Sequence, residues 1–283
     1  MVAKATFNSN SLNTLRYIRI NKSNINRSLE RLASGRAINR GADNAAGLAI
    51  VEELKAESRA LEQASRNIDH GVGMIQTAEG SMDEIGNLLG RAFELTVQAS
   101  NGTYSSDQRE MINHELQSVK AEIGRISGGA EFNGQKLLNG NLASSSASQV
   151  DIQAGTDSSA ESRINMNVIE DMGTASLGID GIDVSTIENA LTSLGSIENA
   201  INTVSQSRAQ IGALQNRFGS ASETVGVRLE NLKASESRIG DTDYAQETTA
   251  LNKNFHLYNA SIKTLSVGLV HRNSSGSILD ILL

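Results

Sequence analysis

The chain has 283 residues and a net charge of −7, with no cysteine, tryptophan or proline and only 3% aromatic residues. Without cysteine, disulfides, thiolate catalysis and sulfur-ligated metals are excluded, and the acidic balance argues against nucleic acid because phosphate binding needs a basic face. A chain without proline favours very long helices, and few aromatic residues indicate a thin, aliphatic core. No run of apolar residues is long enough to span a bilayer, so we expect no membrane insertion.

The first predicted element is a helix near the N-terminus, where apolar residues stand at helical spacing among Asn, Ser and Arg. They are Leu12, Leu15, Ile18, Ile25, Leu29 and Leu32. A single helix of this length is marginal in water, so we expect this segment to become ordered only on assembly. Residues 1–10 lack the apolar centre of a cleaved signal peptide, which predicts another route for any export.

Heptad spacing is the clearest pattern in the chain, and it occurs on both sides of the middle. In the first half it comprises Leu54, Leu61, Ile68, Ile75, Met82 and Leu89; in the second half it comprises Ala190, Ile197, Val204, Ile211, Phe218, Val225, Leu232 and Ile239. Such repeats are typical of coiled coils. A helix over residues 44–99 would measure about 80 Å at 1.5 Å per residue, so we expect the two halves to pair in a rod.

A shorter helix is predicted next, followed by a polar middle region. Its apolar stripe is Ile112, Leu116, Val119, Ile123 and Ile126. Asn101-Gly102 ends the preceding helix, and Ser106 with Asp107 is the predicted N-cap. Residues 149–155 and 162–168 read as two short strands of one hairpin.

The last segment, residues 249–283, repeats the character of the first. Leu251, Phe255, Leu265, Leu269, Ile278 and Leu282 stand at helical spacing among Asn, Ser and Lys. We expect this helix also to need a partner surface before it is stable.

Three short motifs each have a catalytic or ligand-binding interpretation and a purely structural one. His114-Glu115 resembles the start of a zinc-protease motif, but position 118 is Ser and the second ligand is missing. Asp241-Thr242-Asp243 lacks the later Gly and Glu of a calcium loop, which favours a turn or a helix N-cap. Gly71 and Gly73 follow no strand and therefore indicate close helix packing. We expect no enzyme, no cofactor and no metal site.

Several blocks of sequence together resemble the bacterial flagellins, the subunits of the flagellar filament. In the first half the matching blocks are residues 28–39, 43–50, 76–80, 94–102 and 131–138; in the second half they are residues 211–218 and 236–245. The resemblance covers roughly residues 8–142 and 186–254. Between residues 255 and 276 the chain departs from the family's usual Gln/Ala-rich helix.

The resemblance implies a mainly α fold, a long antiparallel coiled-coil or helical-bundle rod with a small β-hairpin region, as in the two inner domains of flagellins. The implied divisions are residues 1–42 and 241–283 for an inner domain, 43–142 and 186–240 for the rod, and 143–185 in place of outer domains. It implies a filament subunit, exported unfolded by the flagellar type III apparatus and located in the extracellular flagellum.

The resemblance also implies contact residues and partners. A subunit interface, which in some flagellins is read by a vertebrate innate immune receptor, would involve Arg91, Glu94, Leu95, Gln98 and Glu115. Terminal residues for assembly and for binding an export chaperone would be Leu12, Leu15, Ile25, Leu29, Leu32, Leu265, Leu269, Ile278, Leu279, Leu282 and Leu283. Filament-cap and hook-associated proteins are the remaining implied partners.

Two alternatives share parts of this pattern. A hook-filament junction protein would have similar terminal helices, with a longer and more divergent middle. A coiled-coil binding module exported by type III secretion would have stably folded ends and would not polymerise.

Overall fold

The computed structural model describes residues 2–281, and the side chains of residues 11–267. Its helices are α1 (Val2–Ser34), α2 (Ala45–Ser100), α3 (Ser106–Gly129), α4 (Ile187–Gly240) and α5 (Tyr244–Ile281). Its strands are β1 (Glu131–Phe132), β2 (Gln135–Lys136), β3 (Asp151–Gln153) and β4 (Arg163–Asn165), with a 3₁₀ turn over Ala160–Ser162. The predicted mainly α fold with long helices is confirmed, and α2 agrees closely with the helix expected over residues 44–99.

Contacts divide the described chain into two units. The terminal unit is built from residues up to Ala56 and from Asn231 onwards, and the central unit comprises Glu57–Glu230. Helices α2 and α4 contribute residues to both units.

In the terminal unit, α1 and α5 pack against each other and run antiparallel. The end of α1 meets the start of α5, where the Arg31 guanidinium donates to the Glu247 carboxylate at 3.4 Å. Beyond α1 the chain turns at Gly35, whose φ of 71° favours glycine. The Asp243 carboxylate accepts hydrogen bonds from the backbone N–H groups of Ala245 and Gln246 in the first turn of α5, so the predicted helix cap is confirmed.

The central unit buries the heptad residues of α2 and α4 that lie within it, whereas Leu54, Leu232 and Ile239, in the terminal unit, are half-buried. Its largest fully buried side chains include Leu61, Ile68, Ile75, Met82, Ile85, Leu89 and Phe218. Helices α2 and α4 run antiparallel, because residues early in α2 pair with residues late in α4. Arg228 forms an ion pair with Glu57 at 3.3 Å, and Arg208 forms one with Asp83 at 2.9 Å. A Cβ atom at Gly71 would lie 2.8 Å from the ring of Phe218. Gly71 therefore allows α2 and α4 to pack closely, as the sequence predicts.

The start of α3 corrects one sequence-based prediction. The cap is Ser105 rather than Ser106 or Asp107: Ser105 Oγ accepts from Gln108 N at 3.3 Å, and the Gln108 side chain accepts from Ser105 N at 2.9 Å. Ser105 has the extended backbone that an N-cap requires, with Gln108 at the third helical position, and this is the reciprocal pair of a capping box.

Two hairpins occupy the middle of the chain, one more than the sequence analysis predicts. β1 and β2 are joined by Asn133 and Gly134, both with positive φ, which is typical of a two-residue turn. β3 pairs with β4 in the register Ile152 opposite Ile164. Both of these strands are shorter than predicted; at one end of the ladder the Asn167 side chain, rather than a backbone carbonyl, accepts from Val150 N. No helix in the described part of the chain is long and apolar enough to cross a membrane.

Candidate subunit-contact surfaces

The first candidate surface lies where α2 and α3 run side by side; we call it the α2–α3 surface and define it by Arg91, Glu94, Gln98 and Glu115. Arg91 lies at its centre: its Nη2 donates to Glu115 Oε1 at 2.6 Å, and its Nη1 donates to Glu94 Oε2 at 3.1 Å. Gln98 donates to the Tyr104 hydroxyl at 3.2 Å. Arg91, Glu94 and Glu115 therefore form one connected ion-pair cluster, and Gln98 has a separate hydrogen bond on the same surface.

The charges of the α2–α3 surface remain accessible to a partner. The side chains of Arg91 and Glu115 are each 49% exposed. The hydrogen bond to Glu115, with a further one to Glu94, raises the pKa of Arg91, whose guanidinium is in any case a cation at physiological pH. Exposed ion pairs contribute only about 0–1 kcal/mol to stability. The cluster is therefore a minor part of what holds the fold together.

Leu95 does not belong to this surface. Its side chain is 1% exposed and lies among the buried residues of the central unit. One turn after Arg91, residue 95 is rotated toward the buried stripe of α2, so its role is packing. Two apolar residues that the sequence analysis does not name, Val97 on α2 and Met111 on α3, are exposed instead.

The second candidate surface consists of apolar side chains of α1 and α5 that are exposed in the single chain. Leu12 is 58% and Leu29 50% exposed, and Leu15 is also exposed. Ile25 is buried, and Leu32 and Leu265 are half-buried. Leu269, Ile278, Leu279, Leu282 and Leu283 lie outside the residues whose side chains are described.

Helix α5 adds exposed apolar residues that the sequence analysis leaves unassigned. They are Leu257, Ile262 and Val267, alongside Phe255, which is on the predicted stripe. A search for every large apolar residue of the segment, rather than for one stripe, would have found them. Such a concentration of exposed apolar side chains marks an interaction surface.

The motifs with a chemical interpretation have structural roles here. Glu115 of the His114-Glu115 pair binds Arg91 rather than pointing to a second ligand, and Asp243 caps α5. Within the described residues, no three His, Cys, Asp or Glu side chains come together as a metal site would require.

Comparisons with known proteins agree with this architecture. The family model of the bacterial flagellin N-terminal helical region matches residues 6–143, and that of the C-terminal helical region matches residues 194–268. A flagellar filament 30.7 kDa core protein of Treponema maltophilum is 36% identical over 266 residues, which covers 92% of this chain and 93% of that protein. The chain belongs to the bacterial flagellin family.

Two further comparisons support this assignment and the fold. The flagellin of Bacillus subtilis is 39% identical over 278 residues, covering 89% of this chain and 91% of that protein. A solved structure described as a flagellar hook-associated protein from Vibrio parahaemolyticus superposes with a TM-score of 0.59 at 14% identity, covering 70% of this chain and 100% of that one. The second likeness shows the fold alone. As a flagellin, the chain is a structural subunit of the extracellular flagellar filament.

Proposed function

We propose that this flagellin polymerises through its α2–α3 surface and through the exposed apolar side chains of α1 and α5. The observation that carries the proposal is the exposure of large apolar residues on both terminal helices, including Leu12, Leu29 and Phe255. Burying such a side chain stabilises an assembly by about 1.5–3 kcal/mol. A repeated head-to-tail contact that does not close into a ring produces an open filament.

The α2–α3 surface suits a contact that specifies orientation. Arg91 is held by Glu94 and Glu115 in a fixed position, so a neighbouring subunit meets a preformed pattern of charge. Complementary charge at an interface fixes register and suppresses wrong pairings more than it adds affinity.

The test compares Arg91→Ala with Arg125→Ala. Arg125 is a matched control because it is also an exposed arginine on a helix of the central unit, paired with Glu122 at 2.6 Å. We expect both variants to fold normally by circular dichroism, and only Arg91→Ala to raise the critical concentration for seeded polymerisation. Equal polymerisation by wild type and Arg91→Ala would contradict the role of this surface.

The domain division belongs to the same proposal. Residues 1–42 and 241–283 would form the inner part of the filament, residues 43–142 and 186–240 the rod, and residues 143–185 the short region that replaces outer domains. The antiparallel packing of α1 against α5 and the pairing of the halves of the central unit support it. The filament function requires no catalytic or cofactor site.

The remaining partners are inferred from the exposed apolar surface of the terminal helices and from the family to which the chain belongs. Exposed apolar helices must be covered before assembly, or they aggregate. This supports the binding of a chaperone to α1 and α5 during unfolded type III export. It also supports later contacts of these helices with filament-cap and hook-associated proteins. Released monomer presents the α2–α3 surface, which supports recognition by a vertebrate innate receptor. A receptor-reporter assay should then respond less to Arg91→Ala monomer than to Arg125→Ala monomer.

A further inference from the structure

Methionine supplies all the sulfur of this chain, because cysteine is absent. Its thioether is oxidised to a sulfoxide where solvent reaches it. The buried methionines of the central unit are Met74, Met82, Met166 and Met172. Met111 on α3 is instead 66% exposed. Among the methionines whose side chains the structure describes, Met111 is therefore the one that a dissolved oxidant can reach in the folded chain.

Met111 lies within the α2–α3 surface. The two helices run antiparallel there: Arg91 pairs with Glu115, and Gln98, two turns later on α2, donates to Tyr104, just before α3 begins. Met111 precedes Glu115 by four residues, which places it one turn away on the same side of α3. It therefore lies between the ion pair and the Gln98 hydrogen bond, as an exposed apolar side chain among polar ones.

A methionine in this position suits a surface that another protein covers. Its flexible, apolar side chain adapts to the shape of a partner, and methionine is enriched at protein interfaces. The polar side chains around Met111 form the rim that surrounds the apolar centre of such a contact. In the proposed assembly, a neighbouring subunit on the α2–α3 surface would cover the thioether.

Oxidation changes the character of this side chain. The Met111 sulfur attacks one oxygen of hydrogen peroxide, so that an S–O bond forms, the O–O bond breaks and the other oxygen leaves as water after proton transfer. The thioether loses an electron pair and the peroxide is reduced. The product is a polar, chiral sulfoxide, and burying its oxygen without a hydrogen-bond donor costs free energy.

We propose that Met111 is an oxidation site at which peroxide controls assembly. The thioether is accessible in the free monomer and covered in the filament, and the sulfoxide weakens the contact that would cover it. This inference rests on the proposed polymerisation through the α2–α3 surface and names a modification of that surface. Because Met111 is exposed in the single chain, its oxidation leaves the fold of the monomer intact. Methionine sulfoxide reductases reverse the change.

The first test maps the reactivity of each methionine by limited treatment with hydrogen peroxide and peptide mass spectrometry. In the monomer, we expect Met111 to be oxidised well before Met74 and Met172. In filaments, we expect the same treatment to oxidise Met111 several-fold more slowly. Equal rates of Met111 oxidation in monomers and filaments would overturn the inference, because they would show that assembly does not cover the thioether.

The second test measures the critical concentration for seeded polymerisation. Wild-type monomer oxidised at Met111 should keep its helix content by circular dichroism and have a several-fold higher critical concentration. Treatment with methionine sulfoxide reductases A and B should return that concentration to the untreated value. Met111→Leu keeps an apolar side chain of similar volume, so it should polymerise normally both before and after peroxide treatment.

Met74→Leu is the matched control, because it removes a buried methionine and should leave the sensitivity to peroxide as in wild type. Loss of assembly by peroxide-treated Met111→Leu would assign the effect to another residue and overturn the inference. So would normal assembly of wild-type chains whose Met111 is fully oxidised by mass spectrometry. An untreated wild-type chain that never forms filaments would instead overturn the proposed function.

Discussion

Gly71 shows how closely a single residue fixes the packing of α2 against α4. A Cβ at this position would lie 2.8 Å from two ring atoms of the buried Phe218. Overpacking of this kind costs about 1–3 kcal/mol, so Gly71→Ala should lower the free energy of unfolding of the monomer measured in urea.

Gly80 provides the control, because nothing lies within 4 Å of the position its Cβ would take. Alanine is the better helix former by about 0.8–1.0 kcal/mol, so Gly80→Ala should stabilise the monomer. If Gly71→Ala also stabilises it, the close approach of Phe218 is wrong.

Asp183 makes stability depend on pH. Its carboxylate accepts from Ser185 Oγ at 2.6 Å and from Asn189 Nδ2 at 2.7 Å, and these bonds, led by that of Ser185, lower the pKa of Asp183. A carboxylate whose pKa is lower in the folded than in the unfolded state stabilises the folded state. This stabilisation is fully present above the unfolded pKa of about 3.9 and is lost as the pH falls below that value.

Asp183→Asn should therefore destabilise the monomer by about 1 kcal/mol near neutral pH, with the difference shrinking as the pH falls below about 4. Thermal unfolding at a series of pH values measures this. Asp69→Asn, at an exposed position of α2, is the control and should change little at any pH. A difference for Asp183→Asn that grows on acidification would contradict the assignment.

Helix α3 begins at a capping box. Ser105 and Gln108 satisfy each other's backbone N–H groups, and loss of such a cap costs about 0.5–2 kcal/mol. Ser105→Ala should lower the urea midpoint, whereas Ser106→Ala, one residue later, should leave it nearly unchanged. Equal effects of the two substitutions would contradict the capping role of Ser105, and a larger effect of Ser106→Ala would favour Ser106 as the cap.

Elements with long periodic patterns are the ones that the sequence predicts well. Heptad spacing places α2 and α4 correctly because burial over many turns outweighs local irregularity. The β1–β2 hairpin is not predicted, although Asn133-Gly134 is a strong turn signal, since strands of two residues have no alternation to detect. Leu95 is expected on the surface but is buried, because a rotation of only about 40° separates it from Arg91 on the helix, at the edge of a wide buried stripe.

Surfaces are less predictable than elements, for a physical reason. Sequence spacing indicates which residues share a helix face, but exposure depends on which neighbour covers that face. Arg91 and Glu115 come together only because α2 and α3 pack side by side.

At the scale of the whole molecule, assembly should depend on apolar residues that contribute little to the fold of one chain. Leu12 and Leu29 are at least half exposed, so Leu12→Ser with Leu29→Ser should preserve helix content and raise the critical concentration. Val227→Ser, at an exposed apolar position of the central unit, should polymerise like wild type. A double variant that polymerises normally would show that these side chains are not buried by assembly.

Electron microscopy of the purified wild-type chain, seeded with sheared filament fragments, tests whether the chain forms filaments. We expect long, open helical filaments that elongate from the seeds until the free monomer falls to a fixed concentration. Monodisperse monomers, or closed rings of defined size, would contradict it.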